Sequence, residues 1–223
     1  MKPPKQTKDK ILLLVSGGLD SAILIHYFLK KFKVVDPVYI KSGHFWEKAE
    51  LYWLKKYLKA IQNPSLKPLT CLSLTTDDLY EKHWSKTGKK TPSASSRDDA
   101  VYLPGRNLLL IVKASVLCAL KKIHYLGLGP LRTNPFPDAS PSFFKTMSQA
   151  CSQGLNFFIR IHTPFLSFTK NEVMALGKHL PLQFTFSCLA PRGFFHCGKC
   201  NKCAERKKAF RKACLIDRTR YAV

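Results

Sequence analysis

The feature that most constrains this chain is a glycine-rich hexapeptide, Ser16-Gly17-Gly18-Leu19-Asp20-Ser21. The apolar run Ile11 to Val15 before it predicts a short buried strand, and the apolar-periodic residues from Ala22 to Leu29 predict a helix. Two glycines let the backbone turn sharply and approach a ligand closely, and the first helical turn offers unpaired amides and a partial positive charge. The hexapeptide therefore predicts a site for a phosphate or pyrophosphate group, with serine hydroxyls as additional donors.

Two other glycine-rich nucleotide sites do not fit the sequence. A P-loop needs glycine, four residues and then Gly-Lys-Ser/Thr, but none of the three Gly-Lys pairs is followed by Ser or Thr. A dinucleotide fingerprint needs three spaced glycines, and Gly127-Leu128-Gly129 lacks the third. On the six residues alone, a plain strand-to-helix turn remains the alternative.

Strand patterns alternate with helix patterns along the rest of the chain. Further strands are predicted near 34–40, 69–74, 123–128 and 158–162, and further helices near 45–61, 108–120, 142–153 and 170–176. This alternation favours an α/β fold with a doubly wound, mostly parallel sheet and helices on both faces. The polar segment 75–100 is predicted to be a loop or lid, and residues 130–141, with four prolines, a rigid irregular loop.

Four of the eight cysteines lie in a sixteen-residue window: Cys188, Cys197, Cys200 and Cys203. Four thiolates at this spacing can close a tetrahedral zinc site. An iron–sulfur cluster, buried free cysteines, or His196 in place of one thiolate remain alternatives on ligand type. We expect an α/β domain over residues 1–183 and a small zinc-binding knuckle over residues 184–223 packed on it.

Four motifs occur together in one order: the SGGxDS loop, Pro104-Gly105-Arg106-Asn107, Phe136-Pro137-Asp138 and the C-x8-C-x2-C-x2-C cluster. From about Ile11 to Ala213 the chain resembles the QueC/ExsB family of 7-cyano-7-deazaguanine synthases, within the ATP pyrophosphatase (PP-loop) superfamily. The resemblance implies that 7-carboxy-7-deazaguanine is adenylated, that ammonia displaces AMP, and that a second activation dehydrates the amide to the nitrile. It also implies a structural zinc ion and Mg²⁺ bound with ATP.

The resemblance also implies roles for individual residues. The ATP-binding residues are expected to be Ser16, Gly17, Gly18, Leu19, Asp20, Ser21, Gly105 and Arg106. The catalytic residues are expected to be Asp20, Ser21, Arg106 and Lys170, with Asp20 orienting Mg²⁺ or the loop and the two cations binding phosphate or carboxylate groups. The substrate-binding residues are expected to be Gly43, His44, Asn107, Asn134, Phe136 and Asp138.

Blander interpretations of these residues remain open on chemistry alone. Arg106 and Asn107 also fit an ordinary helix start, and Lys170 fits a solvated side chain. Two positions depart from the family pattern. His44 stands where the family usually has glutamine, and the loop from Pro130 to Ala139 carries an arginine and neutral residues in place of the expected carboxylates. This loss of carboxylates predicts altered recognition of the base unless another group replaces them.

The charge of the chain adds a second line of argument about partners. Lys and Arg number 37 against 14 acidic residues, a net charge of +23, which excludes an acidic metal-buffering protein and favours polyanionic partners. Apolar runs reach only five residues, against roughly 20 for a membrane span, so we expect a cytoplasmic protein with no membrane partner.

Two other functions remain as hypotheses. The first is a related enzyme that joins a deazaguanine acid to an amine of a protein partner, as relatives in antiphage gene clusters are thought to do. The second is a basic, zinc-containing module that binds nucleic acid. A homodimer also stays open.

Overall fold

A computed structural model of the protein describes residues 9–222. Its five strands are β1 (Lys10–Leu14), β2 (Val34–Lys41), β3 (Thr70–Ser73), β4 (Tyr125–Gly127) and β5 (Arg160–His162). They form one sheet in the order β3-β2-β1-β4-β5, and every neighbouring pair is parallel. The chain winds outward from β1 in both directions, so the doubly wound fold predicted from the sequence is confirmed, with a sheet that is parallel throughout.

The helices follow the predicted pattern closely. They are α1 (Leu19–Leu29), α2 (Glu47–Ile61), α3 (Asp77–Tyr80), α4 (Trp84–Thr87), α5 (Arg106–Leu120), α6 (Pro141–Gly154), α7 (Lys170–Leu176) and α8 (Asn201–Lys212). Four short 3-10 turns lie at Asp98–Val101, Pro137–Ala139, Pro164–Ser167 and Leu182–Phe184. The helices predicted at 45–61, 108–120, 142–153 and 170–176 begin and end within two residues of α2, α5, α6 and α7.

The segment 75–100, predicted to be a loop or lid, contains two short helices that the prediction did not include, α3 and α4. Local capping rather than hydrophobic periodicity forms α4. The His83 side chain accepts the Ser85 N–H before the helix, and Gly88 ends it with a φ of +68°. A helix of one turn is too short for a periodic pattern, so the sequence carries no signal of this kind.

Apolar layers cover both faces of the sheet. Since successive side chains of a strand point to opposite faces, Ile11 and Leu13 pack with α1, α2, α7 and α8, whereas Leu12 packs with α5 and α6. The central strand is buried on both sides, which explains its uninterrupted apolar sequence. Among the described residues, no helix combines the length and apolar character that crossing a bilayer requires.

Helix α8 is tied to the main body by the buried Arg206. The Arg206 guanidinium donates to Thr185 Oγ1 (2.7 Å), to the Leu182 carbonyl (3.0 Å) and to Thr219 Oγ1 (2.7 Å). Phe210 of the same helix joins the core that α1 also contributes to. The C-terminal helix is therefore held against the carboxyl end of the sheet, where doubly wound folds bind ligands.

Candidate active site

The glycine-rich hexapeptide forms the turn between β1 and α1. Ser16 N–H donates to Ser21 Oγ (2.8 Å), and Gly18 N–H donates to Ser16 Oγ (3.2 Å). The first intrahelical bond runs from Ala22 N–H to the Gly18 carbonyl, which leaves the N–H groups of residues 19–21 without an acceptor within the helix. The loop therefore offers amide donors and the positive end of α1 to an anion.

Glu50 of α2 lies directly behind this loop. Its buried carboxylate accepts the Tyr39 hydroxyl at 2.7 Å and the Gly17 N–H. A Cβ at Gly17 would lie 2.8 Å from Glu50 Cγ, so this close approach requires glycine. Burial raises the pKa of Glu50, while Arg106 and Tyr39 oppose that rise.

Two adjoining cavities open at the loop. The first cavity, of about 250 Å³, is lined by the loop, α7 and α8, and the second, of about 230 Å³, by the ends of β1, β2 and β4 with the start of α5. The residues that line both are Ser16, Asp20, Ser21, Glu50 and Arg106. Two ligands bound side by side would therefore meet at Arg106 and the glycine-rich loop of residues 16–21, which we name the phosphate loop for its expected ligand.

Arg106 is the first residue of α5. Gly105 precedes it with a φ of +72°, a left-handed conformation that favours glycine, and a Cβ there would meet nothing within 4 Å. The Arg106 Nε is buried and has no hydrogen-bond partner among residues 9–222. A buried cationic donor without a partner gains a hydrogen bond when an anion enters the cavity.

The first cavity contains a chain of alternating charges contributed by three helices. Lys170 Nζ lies 2.8 Å from Asp20 Oδ2 and 3.3 Å from Glu205 Oε1, and Lys202 Nζ lies 2.6 Å from Glu205 Oε2. Burial alone would lower the pKa of Lys170, but the two carboxylates raise it. Burial would raise the pKa of Glu205, but Lys170 and Lys202 lower it to about 2.

A capping box fixes the start of α7 and therefore the base of the Lys170 side chain. The Thr169 side chain accepts the Glu172 N–H, and the Glu172 carboxylate accepts the Thr169 N–H (2.6 Å). Lys170 follows directly, and its Nζ reaches the carboxylate of Asp20, 150 residues earlier in the chain. The blander interpretation of Lys170 as a solvated side chain does not describe this arrangement.

His44 faces the second cavity, whereas Gly43 does not line it. The His44 ring is 8% exposed, stacks on Trp46 at 4.7 Å between centroids, and has no hydrogen-bond partner at either nitrogen among the described residues. Burial, Arg106 and Lys86 lower the pKa of His44 to about 3. A neutral imidazole in this position has one donor and one acceptor available to a ligand. Gly43 is exposed, and its N–H donates to Glu47 Oε2 (2.9 Å).

The remaining predicted substrate residues divide into two groups. Asp138 is engaged in holding α5, because its Oδ2 accepts the Asn107 N–H (2.9 Å) and its carbonyl accepts Asn107 Nδ2 (2.9 Å). Asn134 lines the second cavity and accepts the Phe136 N–H at 3.0 Å through its side-chain oxygen. Phe136 packs on Tyr102 at 4.9 Å between ring centroids. Asn107 and Asn134 line the second cavity, while Asp138 and Phe136 support its walls.

The four predicted metal ligands meet in one buried cluster. The sulfur atoms of Cys188, Cys197, Cys200 and Cys203 all lie within 4.8 Å of one another. Two of the pairs, Cys197–Cys203 and Cys188–Cys200, are 3.9 and 4.0 Å apart. Four thiolates around one ion with metal–sulfur distances of about 2.3 Å would be ~3.8 Å apart, so the cluster fits a single tetrahedral ion. His196 stays outside, since its Nε2 accepts the Ser187 N–H (3.0 Å).

The cysteine cluster also forms one wall of the first cavity. The segment 186–189, which carries the first cysteine, lines that cavity, and so do Lys202, Glu205 and Arg206 of α8. Cys200 is the residue before α8 and Cys203 lies in its first turn. A metal bound by these cysteines would therefore fix the end of α8 that carries Lys202 and Glu205.

Sequence reasoning missed three residues of this site: Glu50, Lys202 and Glu205. A signal existed for Glu50, which occupies the i position of a stripe with Leu54 and Tyr57 that is otherwise apolar and buried. No comparable signal marks Lys202 and Glu205. They form an i,i+3 pair of a kind that usually lies on a solvated helix face.

Most of the chain is similar to known proteins. The family model described as "Queuosine biosynthesis protein QueC" matches residues 10–214. A 7-cyano-7-deazaguanine synthase of Leptospira interrogans serogroup Icterohaemorrhagiae serovar copenhageni is 31% identical, over 95% of this chain and 90% of the relative. Proteins of the same name from Methanococcus maripaludis and Aquifex aeolicus are each 28% identical, over 96% and 91% of this chain and 99% and 97% of theirs.

Solved structures resemble the fold at lower sequence identity. The U34-tRNA thiolase NcsA from Methanococcus maripaludis, described with its [4Fe-4S] cluster, superposes with a TM-score of 0.51. It is 9% identical, and the match covers 93% of this chain and 68% of that one. This similarity supports the PP-loop type of α/β fold.

Proposed function

Because the chain belongs to the QueC family, we propose that it is an ATP-dependent synthase that converts 7-carboxy-7-deazaguanine and ammonia into 7-cyano-7-deazaguanine. The observation that carries this proposal is the pair of cavities that meet at Arg106 and the phosphate loop. A reaction that transfers AMP to a carboxylate needs the nucleotide and the acid to bind side by side. The first cavity would hold ATP and the second the deazaguanine acid.

The first step would be attack of the substrate carboxylate oxygen on the α-phosphorus of ATP. The new oxygen–phosphorus bond forms as the bond to pyrophosphate breaks, which yields an acyl adenylate and pyrophosphate. The loop amides of residues 19–21 and the Ser16 and Ser21 hydroxyls would hold the phosphates, and Arg106 would neutralise charge where the two ligands meet. Lys170 and Lys202 would contact the phosphate chain.

Mg²⁺ fits this cavity through its carboxylates. The Lys170 ammonium already lies between Asp20 and Glu205, which marks a position where a cation is stabilised. Mg²⁺ accompanying ATP would neutralise charge on the departing pyrophosphate. Asp20 and Glu205 are the residues that would hold the ion if Lys170 contacted a phosphate oxygen instead.

The second step would be attack by ammonia on the activated carbonyl carbon, which releases AMP and gives the amide. A second activation by ATP would convert the amide oxygen into a leaving group, and loss of two protons and the adenylated oxygen would give the nitrile. His44 remains neutral at pH 7 and can donate to or accept from the base, and Asn134 offers its amide nitrogen. Asp138 is engaged with Asn107, so the acceptor nitrogen of His44 would take the place of a carboxylate and accept an N–H of the base. The Asn134 amide nitrogen would donate to an acceptor atom of the base.

For the cysteine cluster we propose zinc as the metal. Four buried sulfurs within 4.8 Å of one another enclose the volume of one ion, and four thiolates are a ligand set that zinc prefers. A cluster of four irons and four sulfides would need the cysteines to be spread farther apart. Metal analysis of the purified protein should give one zinc per chain, and broad absorption near 400 nm with stoichiometric iron would contradict this assignment.

The function is tested by incubating the full chain with ATP, Mg²⁺, ¹⁵N-ammonium and 7-carboxy-7-deazaguanine. We expect AMP and pyrophosphate, together with a nitrile that carries one ¹⁵N by mass spectrometry. Asp20→Asn should abolish AMP release, whereas Asp78→Asn, on the exposed face of α3, should not. ATP binding without AMP release would overturn the proposal.

The curated relatives described above give no support to transfer onto a protein amine. In the same assay, that reaction would appear as AMP release without free nitrile when a protein acceptor is added. Consumption of the acid with no low-molecular-weight nitrogen product would therefore overturn the synthase assignment while keeping the adenylating chemistry.

A further inference from the structure

Most of the positive charge of this protein lies outside the active site. The exposed basic residues of α2 and α8 are Lys48, Lys55, Lys56, Lys59, Lys207, Lys208, Arg211 and Lys212. None of them takes part in a salt bridge between described residues. A few basic residues elsewhere do have an acidic partner, as Lys121 has in Asp36 at 2.8 Å.

The acidic residues of these two helices are all engaged on the inner side. Glu47 accepts the N–H groups of Ser42 and Gly43, Glu50 accepts the Tyr39 hydroxyl, and Glu205 pairs with two lysines at the first cavity. The outer faces of α2 and α8 therefore carry only positive charge. A polyanion approaching α2 meets no repelling carboxylate from the helix itself.

Aromatic rings lie among the lysines of α2. The Tyr52 ring lies 4.5 Å from the Phe194 ring between centroids. Lys56 Nζ lies 4.7 Å from the Tyr52 centroid, and Lys48 Nζ lies 5.8 Å from the Phe194 centroid. Tyr52 is 37% exposed, and Phe195, which follows Phe194 in the chain, is 42% exposed. We call the set Lys48, Tyr52, Lys56, Arg192, Phe194 and Phe195 the aromatic–basic face.

The backbone holds this face in place before any ligand binds. Trp53 Nε1 donates to the Phe194 carbonyl at 2.6 Å, which joins α2 to the loop before Cys197. Arg192 and Phe195 exchange two backbone hydrogen bonds of 3.1 Å each. The loop then enters the cysteine cluster at Cys197, so a bound metal would fix its other end. Little ordering entropy remains to be lost when a ligand contacts these side chains.

We propose that the aromatic–basic face binds single-stranded nucleic acid. Lys48, Lys56 and Arg192 contact phosphates, and the rings of Tyr52, Phe194 and Phe195 stack on unpaired bases. Cations with interleaved aromatic rings are the usual platform for single strands, because every base has a π-face and every nucleotide has a phosphate. A duplex offers its phosphates but not its base faces, so the rings favour a single strand.

The test measures binding of the full, metal-loaded chain to labelled 20-nucleotide oligouridine, oligothymidine and a 20-base-pair duplex by fluorescence anisotropy between 50 and 300 mM KCl. We expect both single strands to bind more tightly than the duplex at equal salt. The ratio of the two single-strand affinities distinguishes an RNA partner from a DNA partner. No binding to either strand at 100 mM KCl with 100 μM protein would overturn the proposal.

Two double variants distinguish an effect of this face on binding from an effect of the net charge of the protein. Lys48→Gln with Lys56→Gln should lower the slope of log affinity against log salt by about 1.4, since each phosphate contact of a single strand contributes about 0.7. Lys122→Gln with Lys145→Gln removes the same charge at exposed positions next to α5 and on α6, on the other side of the sheet, and should leave the slope unchanged. Equal losses in both pairs would overturn the proposal.

The rings are tested by Tyr52→Ser with Phe195→Ser, both at exposed positions. Each ring should contribute about 5-fold or more, so affinity for the single strands should fall about 30-fold or more, while the salt slope stays the same because stacking releases no counterions. Circular dichroism and ATP binding check that the variant is folded. Unchanged single-strand affinity, or displacement of the oligonucleotide by polyglutamate or anionic vesicles at equal charge concentration, would contradict recognition of nucleic acid.

Discussion

The two cavities at the carboxyl end of the sheet differ in how their polar groups are satisfied. In the first cavity, Asp20, Lys170, Glu205 and Lys202 pair with one another at 2.6 to 3.3 Å. In the second cavity, the ring nitrogens of the buried His44 have no partner among the described residues. Arg106, whose Nε also lacks one, lines both cavities.

This difference indicates two ways of binding a ligand. When a ligand binds in the first cavity, its phosphates and cation replace ion pairs that the protein already makes. The binding free energy gained from each contact is therefore small, and it depends on the position of α8. A ligand of the second cavity satisfies buried groups that are otherwise unpaired, so each hydrogen bond it makes removes a desolvation cost. Sequence changes should therefore affect the two ligands separately, except at the residues that line both cavities: Ser16, Asp20, Ser21, Glu50 and Arg106.

The largest expected effect comes from Arg106→Ala, which removes a cation that lines both cavities. Loss of one charge-stabilising donor typically lowers the turnover number by about 100- to 1000-fold, and binding of both ATP and the acid should weaken. Steady-state kinetics with each substrate varied in turn measure this. Arg97→Ala, at an exposed salt bridge with Asp99, is the control. A loss confined to one substrate would show that the cavities are not joined at Arg106.

The next largest effect is expected when the cysteine cluster is disrupted, and it should differ between the ligands of the two cavities. Cys203→Ser, or metal removal by a chelator, should loosen the start of α8 and displace Lys202 and Glu205. The dissociation constant of ATP, measured by calorimetry, should rise about tenfold, the effect of losing roughly one hydrogen bond to a charged group. Binding of the deazaguanine acid should change less.

The exposed Cys214, outside the cluster, supplies the control as Cys214→Ser. Melting temperature and metal content are measured alongside ATP binding. Equal weakening of both ligands would mean that the cluster supports the whole sheet end and not the first cavity alone.

His44→Phe tests whether the ring nitrogens of His44 bind the ligand of the second cavity. The ring stack on Trp46 is kept but both nitrogens are lost, so the KM for the acid should rise several-fold while the KM for ATP stays the same. Because the pKa of His44 is about 3 in the folded protein and the usual pKa of histidine is 6.5, the unfolded chain binds more protons between these values. The stability of the native protein should therefore fall as the pH decreases from about 6.5 towards 3.

In the His44→Phe variant this part of the acid destabilisation should disappear, which amounts to about 2–3 kcal/mol at pH 4. Urea unfolding at pH 7 and pH 4 measures it, with His179→Phe at an exposed position as the control. An identical pH dependence in the variant would show that His44 is not held neutral in the fold.

The smallest effect, a change in thermal stability, is expected for Glu205→Gln in the first cavity. The folded pKa of Glu205 is about 2, below the usual glutamate value of 4.5, so its stabilising contribution is fully present above about pH 4.5 and is lost as the pH falls towards 2. At pH 7 the variant should melt at most about 4 °C lower, since partly exposed ion pairs contribute little. Glu81→Gln serves as the exposed control. A difference that persists unchanged at pH 2 would contradict the ion-pair interpretation.

The fold was largely predictable because its signals are local. Apolar runs and periodic stretches identified every strand and every helix longer than one turn in the main body. The short helices α3 and α4 were missed, because a single turn has no period to detect; α4 is held by a histidine cap and a glycine, whereas α3 has no side-chain cap. Hydrogen bonds between backbone groups a few residues apart form these turns.

The sequence by itself determined the phosphate loop and the cysteine cluster, because in both the chemistry lies within a few consecutive residues whose spacing sets the geometry. Only the tertiary structure decided how these parts meet. It joins Lys170 to Asp20, places Glu205 beside Lys170, buries Glu50 behind Gly17, and engages Asp138 with the start of α5. These contacts link residues far apart in the chain. They depend on how β1, α5, α7 and α8 pack around one sheet, which no local pattern encodes.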